Sequence, residues 1–189
     1  MAREAGIIYF DSLGPENTEE TLRLAKTRAE ELNIKKIVVA TTKGDTAVKV
    51  AKGFKGYRVI AVTHTAGFLA PGTQELTVEN KQKIEKLGAQ IYTGTHPFGG
   101  IARAVRRTFS TYVLGDFMAN TLRVFGEGMK VAIEITLMAT DAGLVSPEED
   151  VISIAGTGRG ADTAIVVKPA NAHDFFALRV KEIICKPRL

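Results

Sequence analysis

Lys36-Ile37-Val38-Val39-Ala40-Thr41-Thr42-Lys43-Gly44-Asp45-Thr46-Ala47 is the stretch on which the fold turns. Its first five residues, Lys36 aside, are β-branched or apolar on both faces, the pattern of a central parallel strand buried from two sides. Two hydroxyls, an ammonium and a glycine follow, and a short helix is expected over 46–52. Downstream, 57–63 is the next apolar strand. Upstream, Asn17-x-x-Glu20 has the spacing of a capping box. Leu22, Ala25, Ala29 and Leu32 then share one helical face, and residues 7–10 form a short strand before them. Further along, a helix over 77–87 is stopped by Gly88. It is followed by a strand at 90–92 and helices over 99–107 and 116–125. Residues 129–142 are β-branched like a strand but long and Gly143-terminated like a helix; they are taken as helix. Strands 151–155 and 163–168 flank a glycine-rich turn, and 179–185 is the last strand. Strand and helix alternating through short loops imply a three-layer α/β/α sandwich with a mostly parallel sheet. In such sheets ligands bind beyond the carboxyl ends of the strands.

Composition narrows the function classes. The chain has 189 residues, 45% of them hydrophobic and 24% charged, ordinary for a globule and far from disordered or collagenous sequence. No linker or repeat interrupts it, so 1–189 reads as one domain. One cysteine, Cys185, permits neither an intrachain disulfide nor a thiolate metal cluster. The N-terminal Met1 to Ala5 leads into too short an apolar run for a signal peptide. No apolar run approaches the ~20 residues of a membrane span, so a cytoplasmic protein without membrane contact is expected. The net charge of +4 is mild, and basic residues are not interleaved with aromatics, so nucleic acid is not an expected partner.

Two readings of loop 41–46 stand. Backbone N–H groups at a helix N-terminus carry partial positive charge and suit a phosphate. Gly44 would let the backbone approach, Thr41, Thr42 and Thr46 offer hydroxyls, and Lys43 supplies formal charge. The lysine precedes the glycine, so this is not a Walker A loop. Alternatively, Asp45 or Thr46 is an N-cap and the remainder is turn chemistry.

The stretch 19–63, with IKKIVVATTKGDTA and then YRVIAVT, resembles the C-terminal α/β domain of pyruvate kinases. GTGRGADTAIVVKP, from Gly156 to Pro169, is similar to the glycine-rich loop and final strand of that domain. Together they identify the chain as similar to the stand-alone archaeal version of the domain. The resemblance implies a mixed sheet of about five strands with the last one antiparallel. It also implies a phosphate held by the first loop. Pyruvate kinases keep their catalytic residues in a separate barrel, which nothing here could encode, so no pyruvate kinase activity is expected. Regulated pyruvate kinases carry a basic residue where Asp45 stands, and a carboxylate repels a phosphate; a sugar bisphosphate is disfavoured. The stand-alone proteins resemble flavin mononucleotide (FMN) binders, and the cofactor implied is FMN.

The second loop, Gly156-Thr157-Gly158-Arg159-Gly160-Ala161, formally fits the dinucleotide pattern, but a strand beginning at Thr163 follows where a helix is required. A close-approach loop on the same crevice is the better reading. In it Arg159 pairs with a phosphate and Asp162 accepts from the ligand; the alternative is a turn with a solvated Arg and a capping Asp. His64, in Thr63-His64-Thr65-Ala66-Gly67-Phe68, and His96 each follow a strand, so both belong at the carboxyl edge. Phe68 or Phe98 could offer a face to a flat ring, or pack beneath its loop. No third ligand is spaced for a metal. Glu134, with Asp141 on the same helical face, is either an acid–base group with a raised pKa or the partner of a neighbouring cation. Arg103, Arg106 and Arg107 suggest a solvated face or a subunit contact first, and anion binding third. Phe175, Phe176 and Leu178 either form a homo-oligomer interface or cover the sheet.

Three function classes follow. The first is a module binding a phosphorylated small molecule, FMN foremost. Its ligand would lie between 41–46, Thr63 to Phe68 with His96, and the Gly158 to Thr163 segment. The second is a flavin-dependent oxidoreductase, or an enzyme acting on a phosphorylated metabolite, with His96, His64 or Glu134 as its acid–base group. The third is a regulatory module for a metabolic enzyme.

Overall fold

The computed structural model describes residue 2 and residues 4–188. Met1 and Arg3, within the N-terminal stretch read above against a signal peptide, lie outside them. The elements are β1 (Ile8–Phe10), α1 (Thr18–Glu31), β2 (Lys36–Ala40), α2 (Asp45–Gly53), β3 (Arg58–Thr63), α3 (Val78–Lys86), β4 (Gln90–Thr93), α4 (Gly100–Phe109), α5 (Leu114–Arg123), α6 (Glu127–Asp141), β5 (Val151–Ala155), β6 (Thr163–Lys168) and β7 (Arg179–Pro187). The strands form one seven-stranded sheet in the order β1-β7-β6-β5-β2-β3-β4. The β5–β2–β3–β4 pairings are parallel, as is β1–β7, and the antiparallel pairings join β6 to β5 and β7. The mostly parallel sandwich with antiparallel pairing among the last strands is thus as expected. The edge strand β1 and its neighbour β7 take the sheet beyond five.

Alternation along the central strands builds two cores. Ile37 and Val39 of β2, with Ile152 and Ile154 of β5, pack beneath α1, α2 and α3. Val38, Ile60 and Ile165 face the other way, toward α6. Apolar on both sides, β2 requires helices on both sides. Helix α6 is buried nearly all round, from Gly128 to Thr140, which explains its ambiguous sequence. A helix inside a domain is selected for apolar bulk rather than for helix propensity. Its hydroxyls stay satisfied within the helix, since Thr136 and Thr140 donate to the carbonyls of Ala132 and Thr136. Ser153 of β5 donates to the Ala132 carbonyl too, at 2.9 Å, and so ties helix to sheet.

One local expectation differs. Asn17 sits at the N-cap of α1, but its side chain makes no cap bond; its amide instead donates to the Ser12 carbonyl at 2.9 Å. Phe175 and Leu178 pack against the second core while Phe176 stands in solvent, so this segment mostly covers the sheet. Among the described residues no helix is long and apolar enough to cross a membrane.

Helices α1 and α2 lie on one face of the sheet, and α4 to α6 on the other. Connections therefore leave β2 and enter β5, its neighbour, from opposite sides. The space beyond the carboxyl ends of these two strands is the topological switch point where a crevice forms.

Candidate functional site

A cavity of about 1010 Å³ opens at this edge, at the upper end of the range for small-ligand sites. Four helix N-termini border it: Thr18 of α1, the 41–46 segment before α2, Gly99 and Gly100 of α4, and Glu127 and Lys130 of α6.

At the α2 end the cap is Gly44 rather than Asp45 or Thr46. Gly44 adopts a left-handed φ of 103°, and its N–H donates to Thr41 Oγ1 at 3.1 Å. A Cβ at Gly44 would sit 2.5 Å from Asn80 Cβ and 2.8 Å from Leu76 Cδ1, so the turn has room for glycine alone. Asn80 Nδ2 donates to Asp45 Oδ1 at 3.0 Å and to the Lys43 carbonyl at 3.0 Å. These bonds fix the loop and tie the Asp45 carboxylate to α3. The first N–H groups of α2 have no intrahelical partner. Thr41, Thr42, Lys43 and Thr46 line the cavity above them.

The glycine loop between β5 and β6 forms the adjoining wall, since β5 is the neighbour of β2 in the sheet. Gly158, Arg159 and Gly160 line the cavity. Gly160, at φ 69°, is packed so closely that a Cβ would collide with Pro15 Cα and Thr18 Oγ1. Ala161, Asp162 and Thr163 are buried behind the loop and do not border the cavity, nor does Gly44. The Asp162 carboxylate accepts from the N–H groups of Gly14 and Thr157, both at 3.0 Å, and from Thr163 Oγ1 at 2.7 Å. It staples the loop to the chain's amino-terminal turn instead of receiving a ligand.

The strand-end histidines do meet, with ring centroids 5.7 Å apart. His64 stacks on Phe68 at 3.9 Å, and the Arg103 guanidinium lies 4.2 Å from the Phe68 ring centre. Phe68 is thereby engaged by protein groups rather than bare for a flat ring, while Phe98 is buried beneath its loop, edge-on to Phe175 at 5.7 Å. The Thr65 N–H donates to His96 Nε2 at 3.3 Å. This bond places the imidazole proton on Nδ1, 3.4 Å from Glu134 Oε2. His64 Nδ1 is 2.6 Å from Glu75 Oε2. Its Nε2 has no protein partner among the described residues, so His64 alone of the acid–base candidates keeps a free ring nitrogen.

Of the two readings of Glu134, the structure matches the one that pairs it with a neighbouring cation. Glu134 is buried, accepts from the Phe98 N–H at 3.1 Å and pairs with the ammonium of Lys130. Burial pushes its pKa up, but the His96 hydrogen bond and the Lys130 charge outweigh that and hold it at about 2. It is a structural carboxylate, ionised at neutral pH, and carries no raised pKa. Asp141 lies elsewhere, accepting from Asn171 Nδ2 and the Ala172 N–H at 3.0 and 2.9 Å. Cys185 is buried, which pushes its thiol up to about 12; it is no nucleophile. Among the described residues no cluster of metal-ligating side chains exists.

The electrostatics of the cavity exceed what loop 41–46 suggested. Lys49, Arg103, Arg106, Arg107, Arg123 and Lys130 join Lys43 and Arg159 on its lining. Lys49, Arg106, Arg123 and Lys130 have carboxylate partners in Glu19, Asp116, Glu127 and Glu134. Lys43, Arg103, Arg107 and Arg159 have none among the described residues. Sequence reasoning missed Lys130, Lys49 and Arg123. Lys130, one helical turn before Glu134, was the legible one.

A family model described as pyruvate kinase, alpha/beta domain, matches residues 19–167. The chain is also similar to a solved pyruvate kinase from Cryptosporidium parvum, at 15% identity over 79% of this chain and 23% of that one, with a TM-score of 0.40. A second similar structure is an NH3-dependent NAD synthetase from Campylobacter jejuni, in complex with the nitrate ion. There the identity is 14% over 72% of this chain and 54% of that one, with a TM-score of 0.33. The chain therefore spans less than a quarter of that pyruvate kinase.

Proposed function

Since the chain belongs to the pyruvate kinase alpha/beta domain family, we propose that its crevice binds a phosphorylated small molecule, FMN foremost, without pyruvate kinase chemistry. The observation that carries this reading is the pairing of an open helix N-terminus with uncompensated cations. The hydroxyls of Thr41, Thr42 and Thr46 and the charges of Lys43 and Arg159 line the cavity where the N-terminus of α2 opens, and together they would form its phosphate corner. Asp45, held by Asn80, stands at its margin. Such a corner suits a terminal phosphate dianion.

FMN fits the phosphate end and the volume. At the other end its ring system would meet the histidine pair, since Phe68 is already stacked. Bound there, the flavin would supply hydride or single-electron chemistry. The protein's own contribution is to fix the phosphate and enclose the ring.

Flavin fluorescence quenching tests this. FMN is expected to bind with riboflavin at least tenfold weaker, because each charge-assisted hydrogen bond contributes about 1.5–3 kcal/mol. Thr42→Val with Lys43→Ala should narrow that difference, leaving the part owed to Arg159 and the α2 N–H groups. Equal affinity for the two flavins, or none for either, refutes the reading.

The unpaired Nε2 of His64, backed by Glu75, supports a second reading in which the bound molecule reacts and His64 handles a proton. Its test is turnover of a flavin-loaded sample with a nicotinamide donor, abolished in His64→Gln; unchanged turnover in the variant removes His64 from that role.

A further inference from the structure

Helix α4 is oriented against the usual rule for a surface helix. Its Arg103, Arg106 and Arg107 border the cavity, while Ile101 and Phe109 are 82% and 71% exposed. An amphipathic helix ordinarily turns its apolar stripe inward and its charges to water. Here the arrangement brings like charges together. Burial, followed by the neighbouring charges of Arg107 and Arg106, pushes the Arg103 pKa down. Among the described residues only Arg106 has a carboxylate to answer it, in Asp116. Arg103 is anchored over Phe68, whose other neighbour is His64 at 3.9 Å, so its guanidinium is held in place rather than waving in solvent.

These arginines are not part of the phosphate corner. That corner is built from the β2–α2 and β5–β6 loops, whereas α4 lies over the opposite sheet face, beside the His64–Phe68–His96 cluster. The cavity between them has more room than a single mononucleotide phosphate and ribityl chain require.

We propose that Arg103 and Arg107 of α4 form a second oxyanion subsite, facing the phosphate corner across the cavity. It would take a phosphate or carboxylate carried either by a longer ligand or by a separate anionic co-substrate. The planar guanidinium forks offer bidentate geometry to either group. The proposal deepens the phosphoryl-ligand reading of the cavity and rests on it for the first subsite only.

Inorganic phosphate is the probe, titrated into isotopically labelled full-length protein against matched chloride. The arginine side-chain N–H signals and the backbone amides of Gly44 and Thr46 are followed by NMR. Saturable shifts of the Arg103 and Arg107 signals, with a midpoint distinct from that of the loop amides, are expected. Arg103→Gln with Arg107→Gln should leave the loop response intact. Loop amides that saturate while the arginine signals follow chloride alone would overturn the second subsite and spare the first. Arginine signals that saturate while the loop does not would overturn the phosphate corner and spare the second. Flavin adenine dinucleotide, which carries one phosphate more than FMN, separates the two sources. An affinity at least tenfold above that for FMN, lost in the double variant, assigns the subsite to one long ligand. Equal flavin affinities, together with binding of a reduced nicotinamide dinucleotide to the FMN-loaded protein that the double variant loses, assign it to a co-substrate. Loss of neither in the double variant overturns the proposal.

Discussion

Acid isolates the contribution of the Glu134–Lys130 pair beneath the crevice. Glu134 is held at about 2 in the folded chain against an ordinary 4.5. A carboxyl whose folded pKa is depressed adds stability above its unfolded pKa and loses it as pH falls toward the folded one. The difference corresponds to about 3 kcal/mol. By pH 3 about 2 kcal/mol of that is gone. The reference is the double variant Lys130→Met with Glu134→Gln, which removes both charges at similar volume and should be close to neutral at pH 7. Glu134→Gln alone leaves the buried Lys130 ammonium unanswered and should cost about 3–5 kcal/mol. Urea unfolding followed by circular dichroism, repeated at intervals from about pH 7 to pH 3, gives each stability. The gap between wild type and the double variant should shift by about 2 kcal/mol over the acid half of that range, against the wild type. Parallel stability curves would refute the assignment of Glu134 as an ionised, paired carboxylate.

Two further outcomes follow from the loops. Asp162→Ala strips the acceptor from the Gly14 and Thr157 N–H groups and should cost about 3–5 kcal/mol in urea unfolding; a loss under 1 kcal/mol would show that the staple contributes little. Gly44→Ala combines a left-handed φ with contacts against Asn80 and Leu76, and should cost about 1–3 kcal/mol. It should also weaken phosphate binding, read by titration, and unchanged binding would place the phosphate elsewhere.

The fold was legible because each strand and helix declared its period or its stop residue. Even α6, β-branched along Ile133 to Thr136, gave itself away by its length and Gly143. The first loop was legible for the same reason, since strand, glycine and helix start are adjacent in sequence. What could not be read was the role of a side chain whose partner lies far along the chain. Asp162 looks like a ligand-facing acceptor until Gly14 arrives beside it, 148 residues away. Glu134 looks like an acid–base group until His96, 38 residues earlier, and the Phe98 N–H close on it. The α4 arginines resemble any solvated basic run, because which side of a helix faces a cavity is decided by neighbours, not by its own spacing. Phe68 read as an open aromatic face for want of knowing where Arg103 would lie.

The Asp162 staple also orders events in time. A contact between Gly14 and Asp162 spans most of the chain, and such long closures come late in folding because their entropy is recovered only once the intervening structure exists. Gly160 cannot take its final path until Pro15 is seated against it. The crevice is consequently among the last parts of the molecule to be completed. A nascent chain can assemble β2, β3 and their helices and still lack a binding wall. Occupancy of the crevice would thus report that the Gly14 turn and the Asp162 loop have met.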